Sequence, residues 1–309
     1  LAIAGEERIA GHVEATRGCK HLCRHCPIPP VYEGRFYAVP AEVVLEDARA
    51  QIAAGARHID FGDPDFLNGP QHALRIVQAL HAEHPAVTFS FTAKVEHIVA
   101  QRALIPELAA AGALFVISAV ESLSDRVLAA LAKGHTAADV PRALEIVRSA
   151  GLSLRPTFVA FTPWTTLDDY LNLCRFIRDH GLEEEVDPVQ LSLRLLVPPG
   201  SALLAAPDIA PFLGPLDAEA LSYRWTHPDP RMDRLEADVA ALVEAAVGDG
   251  APPAATFSRI HRLAATAAGL PHEAPAAARL GLGPRRVPPH LTEAWFCCAQ
   301  PTRRQLDAF

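Results

Sequence analysis

Three cysteines fall within eight residues, Cys19, Cys23 and Cys26 in the stretch GCKHLCRHCPIPP. The spacing C-x3-C-x2-C supplies three soft thiolate donors from one short loop. A closed structural zinc site takes four ligands, and an ordinary [4Fe–4S] electron carrier takes one cysteine per iron. A loop with three leaves one metal position open, and an open position is where a substrate or cofactor binds. The alternative is a zinc loop completed from a distance by His21 or Cys297. A second pair of sulfurs, Cys297 and Cys298 in AWFCCAQP (294–301), stands near the end of the chain. Adjacent thiolates do not easily bond each other without strain, but they can clamp a soft centre such as an additional cluster iron or arsenic. Beside Trp295 and Phe296 they equally suit a role as small buried hydrophobes. Cys174, between Leu173 and Phe176 on an amphipathic stretch, reads as core.

The elements that position the loop alternate. Strand-like runs at 12–16, 58–63, 87–92, 113–120, 152–161 and 189–197 are interleaved with helical stretches at 41–55, 71–84, 96–112, 124–134, 138–151 and 166–181. Gly55 reads as a helix stop, Pro106 as a break in its helix, and Ser124 as an N-cap. Strand–helix alternation at this pitch implies a parallel sheet with right-handed crossovers. Six units are too few to close an eight-fold barrel, so the expected α/β fold is an open, partial (β/α)6 TIM-like barrel over residues 1–197. Chemistry then belongs at the C-terminal strand ends, where the loop at 18–30 follows the first strand. From 198 to 309 the texture turns Pro-rich around two helices near 233–247 and 257–268. This partly helical extension, carrying the CCAQP tail, is expected to wrap the open side of the barrel.

Bulk properties narrow the class. The chain has 309 residues, 50% of them hydrophobic, and a net charge of −8. There is no basic footprint for a phosphate backbone, so no nucleic-acid partner is expected. No apolar run of about 18 residues appears, so no membrane span is expected, and no secretion signal is visible. Clustered rather than dispersed cysteines argue against a disulfide framework and for a reducing cytoplasm. An exposed iron–sulfur site there would be oxygen-sensitive. The sequence begins at Leu1 rather than Met, which leaves an upstream domain open.

The loop, with His25 just before its last cysteine, resembles the cluster loop of the radical S-adenosylmethionine (SAM) enzymes. The resemblance implies a [4Fe–4S] cluster on Cys19, Cys23 and Cys26, with the fourth iron chelated by the amino and carboxylate groups of SAM. It also implies reductive cleavage of SAM to methionine and a 5′-deoxyadenosyl radical. FGDPDF (61–66) stands where these enzymes carry a Gly-Gly-Glu-Pro segment whose backbone holds the methionine ammonium, which assigns Gly62, Asp63 and Pro64 to the cofactor. Asp63 departs from that pattern, and a simple strand-to-helix turn is the plainer role for the segment. SAVESLSDRVLAALAKGHT (118–136) is similar to the segment in which family members contact ribose and methionine, and it assigns Ser118 and Glu121. Arg155 in the fifth strand can fork onto the methionine carboxylate or serve as a salt-bridge partner. Lys94 faces the same mouth.

Three further stretches sharpen the resemblance: FGDPDFLNGPQHALRIV, FTPWTTLDDYLNL with VDPVQLSLRLLVPPGS, and the tail. Together they are similar to the radical SAM proteins named for a C-terminal Cys-Cys-Ala-Glu-Pro or selenocysteine-containing tail, although Gln300 replaces the Glu. Selenocysteine in some of those relatives implies a catalytic role for Cys297 and Cys298. A cobalamin-binding-like Rossmann domain usually precedes the barrel there. Cobalamin is therefore conceivable as a cofactor but unsupported by this chain. The implied partners are a small-molecule substrate and a reducing protein such as flavodoxin or ferredoxin. The rival readings are a cobalamin-dependent radical methylase and a non-enzymatic zinc or iron–sulfur protein.

Overall fold

Alternating β-rich and helix-rich segments give a central parallel sheet in the computed structural model, which describes residues 1–3, 5–271 and 288–291. The strands are β1 (Ala10–Val13), β2 (His58–Phe61), β3 (Thr88–Thr92), β4 (Ala113–Glu121) and β5 (Ser153–Phe158). They are hydrogen-bonded in the order β1-β2-β3-β4-β5, every pair parallel. A doubly wound sheet would reverse its strand order at the binding crevice. This order follows the chain without reversal, as the wall of a barrel does.

The helices are α1 (Ala41–Ala53), α2 (Pro70–Glu83), α3 (Val95–Ala100), α4 (Ile105–Ala110), α5 (Asp125–Ala130), α6 (Asp139–Ser149) and α7 (Leu167–His180). In α2 the residues Ala73, Leu74, Ile76, Val77 and Leu80 form one buried stripe, the 3.6-residue period of a helix lying on a sheet. Alternation along the strands puts Ile59, Phe61, Phe89, Phe91, Val116 and Leu154 into the core. Phe61, Phe66, Phe89 and Phe91 interlock there, with ring centroids 4.6–6.1 Å apart. The opposite face of β2 and β3 carries polar groups. His58 lies 2.9 Å from both Thr88 Oγ1 and Ser90 Oγ, and Ser90 Oγ donates to Asp60 Oδ1 at 2.6 Å. Pro106 does break its helix: α3 ends at Ala100, and Pro106 sits in the first turn of α4, where its missing N–H costs nothing.

Two expectations are corrected. Residues 189–197 do not form a sixth strand. Pro188–Leu191 is a 3-10 turn capped by Asp187, and the Gln190 side chain, rather than the backbone, accepts from Phe158 N at 3.0 Å. One parallel bridge, Phe161 to Arg194, remains of the sixth position, so among the described residues the sheet has five strands. Ser124 occupies the N-cap position of α5, but its hydroxyl makes no cap bond. Ser122 Oγ accepts from Ser124 N instead.

Beyond Pro198 a hairpin, Leu213–Asp217 with Ser222–Trp225, precedes α8 (Pro230–Gly248) and α9 (Pro253–Ala267). Both helices start earlier than their apolar periodicity suggests, because each opens on a proline in its first turn. They pack on each other and on the 188–191 turn, and α9 also packs on α7. The extension therefore covers the sheet beyond β5. Arg194 stacks 3.6 Å over the Trp225 ring, and its Nη1 bonds Asp233 at 2.9 Å. No helix among the described residues is long and apolar enough to cross a membrane.

Candidate active site

The cysteine loop leaves the C-terminal end of β1 through a paired stem. Thr16–Gly18 runs antiparallel to Phe36–Ala38, so the loop is closed at its base. Gly18 is required there for two reasons. Its φ is +83°, and an added Cβ would lie 2.5 Å from the Arg35 carbonyl oxygen and 2.6 Å from the Tyr32 ring. Asp63, at the end of β2, fixes the stem to the sheet. Its Oδ2 accepts from Ala15 N at 2.9 Å and its Oδ1 from Thr16 Oγ1 at 2.5 Å. Burial pushes the Asp63 carboxyl up, and the Thr16 and Ala15 bonds oppose that shift.

Within the loop, Cys19 and Cys23 are buried and Cys26 is half-buried; none of the three is in a disulfide. Asn68 latches the first of them. Its Oδ1 accepts from Cys19 Sγ at 3.8 Å and from Lys20 N at 3.4 Å, while its Nδ2 donates to Gly18 O. Burial pushes the Cys19 thiol up, so the thiolate form calls for a cation beside it. Arg24 is held at both backbone atoms: its N donates to Leu131 O at 2.9 Å, and its O accepts from Ser201 Oγ at 3.3 Å.

Opposite the loop, β4 breaks its register between Ala119 and Glu121, and Glu121 sits at φ +66°. Such irregularities at a strand end re-aim a side chain. Here the carboxylate turns to the loop, where Glu121 Oε1 lies 3.1 Å from His25 Nε2 and accepts from Lys133 Nζ at 3.2 Å. A carboxylate only accepts, so Nε2 carries the His25 proton. Burial alone would push the Glu121 carboxyl up; Lys133 and His25 overcome it and hold it down to about 2. His135, two residues after Lys133, is kept neutral by burial, with Lys133 and Lys94 adding to the effect, at about 4.

The structure brings Cys19, Cys23, Cys26, Asp63 and Glu121 to the loop and its stem. Gly62, at the end of β2, lies against the His12 ring, and its N donates to Val13 O. Pro64 continues that turn. Ser118 faces the other way from Ile117 on β4, and its buried Oγ lacks a hydrogen-bond partner among the described residues. Arg155, opposite Ile117 on β5, has a buried Nη1 equally without one. The Asp63 carboxylate is taken up by Ala15 and Thr16, which leaves its backbone for the expected ammonium contact. Lys94 is buried, its Nζ 3.4 Å from Glu96 Oε2. Cys174 is core, its thiol pushed up to about 12 by burial. Cys297 and Cys298 lie outside the described residues. Sequence reasoning missed Asn68 and Lys133, whose partners are 49 and 12 residues away in the chain. The segment AKGHT (132–136) was the available pointer to Lys133.

A three-thiol loop on the strand ends of a parallel sheet defines a metal–thiolate site in a barrel-type α/β scaffold. Residues 13–177, more than half of the chain, match the model of the Radical SAM superfamily, and the chain belongs to that superfamily. Its curated relatives include the tRNA-2-methylthio-N(6)-dimethylallyladenosine synthases of Pseudomonas savastanoi pv. phaseolicola and Pseudomonas syringae pv. syringae. Each is 26% identical over 202 residues, covering 58% of this chain and 43% of the relative. Among solved structures, the cobalamin-dependent SAM radical enzyme OxsB, with aqua-cobalamin and SAM bound, superposes with a TM-score of 0.64. It is 17% identical over 77% of this chain and 41% of OxsB. Methylornithine synthase, PylB, gives 0.51 at 14% identity over 92% and 80%. These two likenesses speak for the fold. The chain spans less than half the length of the curated relatives and of OxsB.

Membership implies a [4Fe–4S] cluster and SAM, and the residues present fit both. Thiolates are the natural ligands of iron–sulfur clusters, and the loop offers three. The unpartnered Arg155 Nη1 suits a carboxylate, whereas Ser118, paired with Pro156, points to the opposite face of the sheet from Arg155.

Proposed function

We propose that this chain is the catalytic barrel of an enzyme that cleaves SAM reductively at a [4Fe–4S] cluster on Cys19, Cys23 and Cys26. When bound, the cluster and SAM supply one electron and a 5′-deoxyadenosyl radical, with methionine as co-product. The chain's own residues bind and orient. Asn68, Asp63 and Gly18 set the loop, and Glu121 with Lys133 fixes the His25 ring against it. The Gly62–Pro64 backbone offers acceptors to an ammonium, and Arg155 offers a fork to a carboxylate. The observation that carries the reading is the three-thiol loop, stemmed and latched at the C-terminal end of the first strand.

The substrate belongs to the proposal too: a small molecule, with the electron delivered by a reducing protein of the flavodoxin or ferredoxin kind. A net charge of −8 disfavours a phosphate-backbone partner. Assignment to the tail-bearing subgroup, with thiol or metalloid chemistry at Cys297 and Cys298, rests on the tail motif.

The test is anaerobic reconstitution with iron and sulfide, followed by dithionite and SAM. The loaded protein should yield 5′-deoxyadenosine by mass spectrometry, and the Cys19→Ser, Cys23→Ser, Cys26→Ser variant should lose both iron and product. Four irons retained in the variant, or no 5′-deoxyadenosine from the loaded protein, would overturn the assignment.

A further inference from the structure

Three side chains that the proposed reaction does not use converge beside the cysteine loop. His21 lies in the loop itself, Asp65 in the turn after β2, and His97 in α3. His21 Nε2 is 3.2 Å from His97 Nε2 and 3.9 Å from Asp65 Oδ2, and His97 Nδ1 is 2.6 Å from Asp65 Oδ2. One donor atom from each lies within 4.8 Å of the other two. Asp65 is fully buried and His97 nearly so, and a carboxylate removed from water must be paired or must coordinate a metal.

The details favour coordination. Asp65 Oδ1 accepts from Leu67 N, which leaves Oδ2 as the available donor. Oδ2 and His97 Nδ1 approach closely enough for an ion pair, yet their alignment completes no hydrogen bond, and among the described residues both buried atoms lack such a partner. Lone pairs aimed at a shared point, rather than at each other, give that pattern. Two ligands held about 2.0–2.1 Å from one divalent ion stand no more than about 4.2 Å apart, and His21 Nε2, 3.9 Å from Asp65 Oδ2, falls within that limit. Behind His21, Glu96 Oε2 lies 3.6 Å from Nδ1, the place of a carboxylate that orients a metal-bound imidazole.

We propose that His21, His97 and Asp65 hold a mononuclear divalent transition-metal ion, separate from the cysteine site. Two imidazoles and one carboxylate with coordination positions left over suit Fe2+ or Zn2+. The ion ties the cysteine loop to the end of β2 and the start of α3, and it presents an open position to a donor group of the substrate beside the loop.

The test titrates Zn2+ and Co2+ into protein with its cluster reconstituted, reading metal content and the visible d–d bands of Co2+. One equivalent beyond the cluster iron is expected, without the intense sulfur-to-cobalt charge transfer of thiolate ligation. His97→Ala and the isosteric Asp65→Asn should each weaken binding by at least about 100-fold, and Glu96→Gln, which keeps all three ligands, by only about tenfold. The Cys19→Ser, Cys23→Ser, Cys26→Ser variant should retain the equivalent, so this site and the cysteine assignment can fail separately. No equivalent in the wild-type protein, its loss in the triple serine variant, or undiminished affinity in both His97→Ala and Asp65→Asn would overturn the proposal. A hydrogen-bonded Asp–His–His chain without metal would give the first of these results.

Discussion

Glu121 combines a left-handed backbone with a buried charge, and both are held in place by their neighbours. A non-glycine residue at φ +66° is costly by about 1–2 kcal/mol, and the pairing with Lys133 and His25 offsets that cost. Replacing Glu121 by Gln would remove the buried carboxylate that Lys133 and His25 share, which should destabilise the fold by about 3–5 kcal/mol in denaturant titrations. The wild-type carboxyl falls to about 2 from an ordinary 4.5. Its contribution is therefore complete above the ordinary carboxylate range and lost as pH drops toward 2, and Glu121→Gln should lose that acid dependence. For Arg155, Arg155→Gln should weaken SAM binding by about tenfold or more, read by isothermal titration, while iron content stays unchanged. The three-thiol loop was legible because its spacing marks it; Glu121 was singled out as a cofactor contact, and in the structure its carboxylate meets His25 and Lys133. Asn68 was not legible, because nothing local distinguishes a latch from an ordinary surface side chain, and Lys133 was passed over although AKGHT (132–136) lay within a segment already singled out.

At the scale of elements, the stem of the loop is the most sensitive piece. Gly18→Ala forces a side chain into a left-handed position against the Arg35 carbonyl and the Tyr32 ring. Iron incorporation should fall severalfold. Gly151→Ala, also at positive φ (+79°) but facing open space, should cost only about 1–2 kcal/mol and leave iron content intact. Five of six strands were readable from apolar runs bounded by helices. The sixth was not, although VQLSLRLLV alternates like a strand. Its first residues are drawn into a 3-10 turn after Pro188, Gln190 meets β5 through its side chain, and Arg194 is held by Trp225 and Asp233. Periodicity reports which residues face the core. It does not report whether the backbone or a side chain satisfies the neighbouring strand.

For the molecule as a whole, two buried histidines set the acid limit. Burial lowers both His58 and His135 to about 4 from 6.5, so the unfolded chain binds protons that the folded chain refuses. Their contribution is intact above pH 6.5 and is lost as pH falls toward 4. The combined slope is up to about 3 kcal/mol per pH unit. Urea midpoints measured from pH 7 to 4 should show this fall, and because His21 is lowered to about 4 as well, His58→Gln should remove roughly a third of the total slope. An unchanged slope in that variant would assign the acid sensitivity elsewhere.

The hydrogen bond from Ser201 to Arg24 spans 177 residues of sequence. A ribosome adding about 5–20 residues per second needs roughly 9–35 s to cover that distance. Throughout that interval the loop lacks its Ser201 bond at the Arg24 carbonyl. The loop's tie to the C-terminal extension is therefore made last, after its ties to Asn68 and Leu131 have been translated, which makes the order of synthesis part of how this site is assembled.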